Sequence, residues 1–128
     1  MKVVILAGGK GSRLSEYTSS IPKPMVKISR IPILIRIINY YKKFGFKEFI
    51  IASGYKSRII ETYFKKKRKR INVKVIFTGN NSMTGGRIKR LQKVLNDERF
   101  LLTYGDGLCD VDLKKLIKFH KKNNNYVT

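Results

Sequence analysis

The residues of this chain best suited to chemistry lie in the string LAGGKGSRLSEYTSSIPKPM, from Leu6 to Met25, where glycines, an arginine and a lysine follow an apolar run. Gly8, Gly9 and Gly11 let the backbone turn tightly behind Leu6 and Ala7 and approach a ligand closely. Backbone N–H groups exposed in such a turn point at anions. Arg13 adds a planar fork of donors suited to phosphate oxygens. Lys23, between Pro22 and Pro24, carries a compact positive charge on a stiffened segment. Phosphate binding is the chemistry this combination predicts. Two familiar phosphate loops are excluded. No Gly, four residues, Gly-Lys-Ser/Thr spacing occurs, and the G-x-G-x-x-G fingerprint fails because Leu14 stands where its third glycine should be.

Two further groups could act with this loop. Asp106 lies between Gly105 and Gly107, so its carboxylate can come close to bound phosphates, and a hard oxygen ligand there suits magnesium. An ordinary Asp-Gly turn gives the same residues. Thr84, Gly85, Gly86 and Arg87 form a small-residue turn at the start of a helix, where free N–H groups and a cation could approach a base or a phosphate. A helix cap by Ser82 or Thr84 explains much of that pattern equally well. Cys109 has no cysteine to pair with and reads as packing, while His120, amid Lys118, Lys121 and Lys122, reads as solvated surface.

Strand and helix signals alternate in a way that would bring these groups together. Residues 2–7 read as a buried strand, followed by a long loop to about 25 and a helix over 32–44, opened by Pro32 and closed at Gly45. Phe49, Ile50 and Ile51 form a second strand and residues 56–67 a second helix. Val73 to Phe77 is a third strand, 86–96 a third helix and Phe100 to Thr103 a fourth strand. Asp112 caps a last helix through about Lys121. The alternation predicts an α/β fold, a Rossmann-like parallel sheet with helices on both faces. In such a sheet the ligand lies beyond the carboxyl ends of the strands, where both the loop after strand 1 and the Asp106 turn fall. Tyr126, Val127 and Thr128 read as the first residues of another strand with nothing after them, so the fold is expected to be truncated.

With 128 residues, 42% of them hydrophobic, the chain can bury a core. No apolar run reaches the roughly 20 residues needed to span a bilayer, and the first residues enter a strand rather than a signal peptide, which predicts a cytoplasmic protein. The formal charge of +21 raises a nucleic-acid hypothesis, and Lys65 to Arg70 is an unbroken basic run. The positive charge is nonetheless spread along the whole chain. The basic run lacks interleaved aromatics, and no RNP-like, KH-like or helix-turn-helix pattern appears, which argues against a nucleic-acid partner. A non-catalytic nucleotide-binding fragment, or a basic RNA-binding domain on the same fold, stays open as an alternative.

The string from Leu6 to Met25 resembles the signature of the sugar-phosphate nucleotidylyltransferases, typically LAGGxGTRL followed by a PKPM-like segment. FKEFIIASGYKSRIIETYF, SMTGGRIKR and FLLTYGDGLCDVDLKKLIKFH are similar to the branch that makes CDP-glucose. The resemblance runs from Met1 almost to Thr128. It implies that residues 1–128 are the N-terminal, nucleotide-binding part of such a domain, with the sugar-binding C-terminal half absent. The implied reaction joins CTP and glucose 1-phosphate into CDP-glucose and pyrophosphate, for surface-polysaccharide (lipopolysaccharide O-antigen) sugars; relatives using UTP or dTTP are the alternatives within the class. The implied roles are nucleotide binding by Leu6, Ala7, Gly8, Gly9, Gly11, Ser12, Arg13, Gly86 and Arg87, catalysis by Arg13 and Lys23, and Mg2+ on Asp106. The family's second metal carboxylate would lie beyond Thr128, and Asp110 and Asp112 do not match it. A homo-oligomer is compatible with the longer protein the resemblance implies. Between Phe64 and Ile76 the chain departs from the family, with KKKRKRINVKV in place of a longer excursion.

Overall fold

A computed structural model describes residues 1–11, 19–67 and 71–128. Four parallel strands make the central sheet: β1 (Lys2–Ala7), β4 (Phe49–Ser53), β5 (Val73–Phe77) and β6 (Phe100–Tyr104), in the order β5-β4-β1-β6. A separate antiparallel hairpin, β2 (Lys27–Ile28) with β3 (Ile31–Pro32), lies between β1 and β4 in the chain. The helices are α1 (Ile33–Lys43), α2 (Ser57–Lys67), α3 (Thr84–Arg90), α4 (Gln92–Leu95) and α5 (Leu113–Asn123). Because β1 pairs with β4 on one side and β6 on the other, strand order reverses beside it. The carboxyl ends of β1 and β6 therefore flank the switch point where open sheets of this kind take ligands.

Side chains alternate across a strand, and β1 uses both of its faces. Val3, Ile5 and Ala7 pack with Leu34, Ile37 and Ile38 of α1, Ile60 and Phe64 of α2 and Leu113 of α5. Val4 and Leu6 face the other way, onto Ile50, Ala52, Leu91 and Leu95. Helices thus cover both faces, as the alternation of elements predicts. α1 stops in a Schellman arrangement, with Phe46 N–H donating to the Tyr41 carbonyl and Gly45 N–H to that of Lys42, and Gly45 takes the φ of +90° that this turn needs. Asp112 caps α5 by accepting from the N–H groups of Lys114 and Lys115 at 2.9 and 3.1 Å. Asp112→Ala is expected to destabilise the chain by about 1 kcal/mol, read as a lower thermal midpoint.

The structure corrects several expectations. The strand expected over 49–51 runs on to Ser53. The third helix is two pieces broken at Leu91, whose N–H reaches back only to Ile88, a tightening that turns Leu91 and Leu95 fully into the sheet. Thr84 to Arg87 belong to the helix itself, and the cap residue is Met83 with no side-chain cap bond, rather than Ser82 or Thr84. Cys109 is exposed, not packed, because it lies in the irregular segment between β6 and α5. Tyr126 to Thr128 are exposed and outside regular structure instead of starting a strand, since no described strand lies beside them to pair with. Residues 68–70 of the basic run lie outside the described residues. Among the described residues no helix is long and apolar enough to cross a membrane.

Candidate functional site

At the carboxyl ends of β1 and β6 the chain opens a cleft of about 320 Å³. One wall is the turn after β1, from Gly8 to Gly11. The opposite wall is the turn after β6, held to β1 because Gly105 N–H donates to the Leu6 carbonyl at 2.8 Å. Gly105 has no room for a side chain: a Cβ there would lie 2.9 Å from Cγ of Pro24 and 3.1 Å from the Leu6 carbonyl oxygen.

That contact explains where Lys23 stands. Lys23–Met25 is a 3-10 turn, with Met25 N–H donating to the Pro22 carbonyl, and Pro24 and Met25 are buried as its anchor. With Pro24 pressed on Gly105, the next side chain on each segment meets the other. Lys23 Nζ donates to Asp106 Oδ2 at 2.5 Å across the cleft mouth, both side chains being about a third exposed. Two residues 83 positions apart thus form one charged pair at the cleft.

Arg87 reaches the cleft floor from α3 and is 5% exposed. Its Nη1 donates to the Ser53 carbonyl at 3.2 Å, to Thr78 Oγ1 at 2.9 Å and to the Gly79 carbonyl at 2.8 Å; its Nη2 donates to the Gly8 carbonyl at 2.9 Å. No carboxylate among the described residues pairs with it. Burial first, and then the neighbouring charge of Arg90, push the guanidinium below the ordinary arginine pKa. An arginine still keeps its proton throughout the neutral range. The cleft floor therefore carries a positive charge that no acid among the described residues offsets, and the same guanidinium ties together the ends of β1, β4 and β5.

Of the residues expected at the site, Leu6, Ala7, Gly8, Gly9, Gly11, Lys23, Arg87 and Asp106 line this cleft. Gly86 is exposed on the first turn of α3 and is not among the lining residues. Ser12 and Arg13 lie outside the described residues. Ser82, Met83 and Tyr104 line the cleft as well; they fall in the strings SMTGGRIKR and FLLTYGDGL, but no site role is read for them from the sequence. The signal for Tyr104 is its place as the last residue of a strand before a glycine. No group of three or more His, Cys, Asp or Glu that could hold a metal occurs among the described residues. Asp106 is the one carboxylate lining the cleft among them, and a single carboxylate fits magnesium, which keeps several waters and is completed by substrate phosphates.

The sequence model of the family described as nucleotidyl transferase matches residues 2–128. The chain is 45% identical, over its whole length, to glucose-1-phosphate cytidylyltransferase from Salmonella typhimurium, and covers 59% of it. It is 41% identical, over 91% of its length, to D-glycero-alpha-D-manno-heptose 1-phosphate guanylyltransferase from Campylobacter jejuni, covering 52% of that protein. The structure of HddC from Yersinia pseudotuberculosis complexed with GMP-PN matches with a TM-score of 0.78 and 39% identity, over 93% of this chain and 53% of that one. The chain thus spans between half and three-fifths of the length of these relatives.

Proposed function

The chain belongs to the nucleotidyl transferase family, and on that premise we propose that it forms the nucleotide-binding part of an enzyme joining CTP and glucose 1-phosphate into CDP-glucose. The observation that carries the cytidylyl reading is the 45% identity, across the whole chain, to the Salmonella enzyme of that name. In this reaction a phosphate oxygen of the sugar phosphate attacks the α-phosphorus of the nucleotide. The new P–O bond forms as the bond to the β-phosphate oxygen breaks, and pyrophosphate leaves with the electron pair. A sugar phosphate is already an ionised nucleophile, so alignment and charge neutralisation suffice and no general base is called for. That suits a cleft lined by glycines, Lys23, Arg87 and Asp106 rather than by His or Cys.

Each residue then has a part. Backbone N–H groups of the turn from Ala7 to Gly11 hold the nucleotide phosphates, with Ser12 adding a hydroxyl. Arg13 stabilises charge on the leaving pyrophosphate, and Lys23 bridges phosphates of the two substrates. Gly86 and Arg87 lie on the helix proposed to help select the base. Asp106 is the magnesium ligand; when bound, the ion withdraws charge from the phosphate oxygens. Both substrates are soluble metabolites, which accords with a cytoplasmic enzyme, and a homo-oligomer remains our expectation for the longer protein.

A second reading has its own support. The Campylobacter guanylyltransferase and the Yersinia structure complexed with GMP-PN are similar to this chain at 41% and 39% identity. Guanylyl transfer to a sugar 1-phosphate is therefore the competitor to be excluded. Titration of the chain with CTP, GTP, UTP and dTTP in the presence of magnesium decides between them. CTP is expected to bind at least about tenfold tighter than the others, worth about 1.4 kcal/mol. A preference for GTP selects the guanylyl reading, and no binding of any nucleotide refutes both.

A further inference from the structure

We infer that Arg87 is a positioning residue: it fixes the Gly8–Gly9 peptide so that the Gly9 N–H faces the cleft, and Gly8 and Gly54 lack side chains to make room for it. The inference rests on reading this cleft as a phosphate site. A trans peptide is planar, with its C=O and N–H on opposite sides. The Gly8 carbonyl points down into the protein, where it accepts from Arg87 Nη2 at 2.9 Å and from the Tyr55 N–H at 3.2 Å. No cis bond occurs among the described residues, so the N–H of the same unit, which belongs to Gly9, points away from Arg87. Gly9 is exposed and a Cβ built on it meets nothing within 4 Å. Gly9 is itself a lining residue of the cleft, and the inference puts that N–H on the cleft side.

The two neighbouring glycines tell the other half. A Cβ on Gly8 would lie 2.0 Å from Arg87 Nη1, and one on Gly54 2.7 Å from the same atom and 2.6 Å from the Gly79 carbonyl oxygen. These positions are glycine because the guanidinium and the carbonyls it gathers leave no space. Gly9, by contrast, is unobstructed, so of the first two glycines after β1 one serves packing and the other can face a ligand. Arg87 can do this because its planar fork spreads donors over two nitrogens and serves four acceptors, Ser53 O, Thr78 Oγ1, Gly79 O and Gly8 O, one more than the three N–H groups of a lysine.

Two measurements test the inference. In the first, inorganic pyrophosphate is titrated into the parent chain and into Arg87→Met at constant ionic strength, with the Gly9 amide followed by NMR. The parent Gly9 amide is expected to shift among the cleft amides, and a folded Arg87→Met to bind pyrophosphate more than tenfold more weakly. A Gly9 amide that stays still while other cleft amides move, or a folded variant binding within twofold of the parent, overturns the inference. The second reads stability alone and does not depend on the cleft being a phosphate site. Gly8→Ala is expected to lower the thermal midpoint by several degrees more in the parent than in the Arg87→Met background; equal drops overturn the packing argument. If Arg87→Met does not fold, the Gly9 response of the parent still decides. A parent in which no cleft amide responds to pyrophosphate refutes the phosphate reading and, with it, the role of the Gly9 N–H.

Discussion

Lys23→Ala is expected to cut turnover by more than tenfold while the fold survives, measured in a chimera that joins residues 1–128 to the remaining length of the Salmonella relative. The two halves of this expectation have separate grounds. The anchor of the segment is Pro24 and Met25, which stay buried when the lysine is shortened. The pair with Asp106 is part-exposed, and ion pairs of that kind contribute about 0–1 kcal/mol, so the thermal midpoint should move by no more than a few degrees. The loss in rate comes from the transition state. A positive group held between two anionic substrates is worth about tenfold to a thousandfold in electrostatic stabilisation, and no other described cationic side chain lining the cleft is free of carbonyl partners. Unchanged turnover would reduce Lys23 to an ion-pair partner and remove it from the mechanism. Arg13→Ala carries the same expectation.

Asp106→Asn should be more damaging still, lowering turnover by about a hundredfold or more and raising the magnesium concentration needed for half-maximal rate. The amide is nearly the same shape, and the turn is fixed by backbone: Gly105 N–H on the Leu6 carbonyl, with Pro24 against the glycine. The fold therefore has no reason to fail. What changes is charge, since a neutral amide oxygen is a far weaker magnesium ligand than a carboxylate. The pairing of Lys23 with Asp106 adds a sign to the test. If Lys23 moves to the phosphates as substrates bind, Asp106 is released for the ion, so Lys23→Ala should bind magnesium no more weakly than the parent while Asp106→Asn binds it more weakly. Asp106→Asn with parental turnover and parental magnesium dependence would end the assignment.

Much of this arrangement is legible in the amino-acid string. The apolar runs mark β1 and β5 at their observed bounds: β1 is a near-continuous apolar run because it is buried on both faces, and β5 alternates with Lys74 because it is the half-exposed edge strand. A glycine follows every strand of the central sheet, at once or after one residue: Gly8, Gly54, Gly79 and Gly105. Gly8 and Gly105 read in the sequence as turns beside a ligand, which points to the observed end of the sheet; that a Cβ at Gly8 would also meet Arg87 appears only once three strand ends converge. Arg87 itself reads as a cation open to a phosphate; that it is spent on carbonyls depends on contacts no spacing encodes. The β2–β3 hairpin escapes notice because its turn places Ser29 and Arg30 at φ of 49° and 66°, where glycine or asparagine would have signalled it. The break at Leu91 is likewise a packing decision, made by the sheet rather than by a helix-stopping residue.

The order of strands in the sheet also bears on when this site comes into being. β1 pairs with β4 across one crossover, Val3 opposite Phe49, but β6 must return across most of the chain to pair with β1, Lys2 opposite Phe100, and closing the longer loop is entropically the slower step. Lys23 belongs to the early part and Asp106 to the late one. A chain folded only as far as β5 would hold the glycine turn and its buried arginine, yet its cleft would lack a second wall. The second wall thus arrives with β6, and in native-state hydrogen exchange the opening of β6 is the event that should empty the cleft while β1 and β4 remain protected.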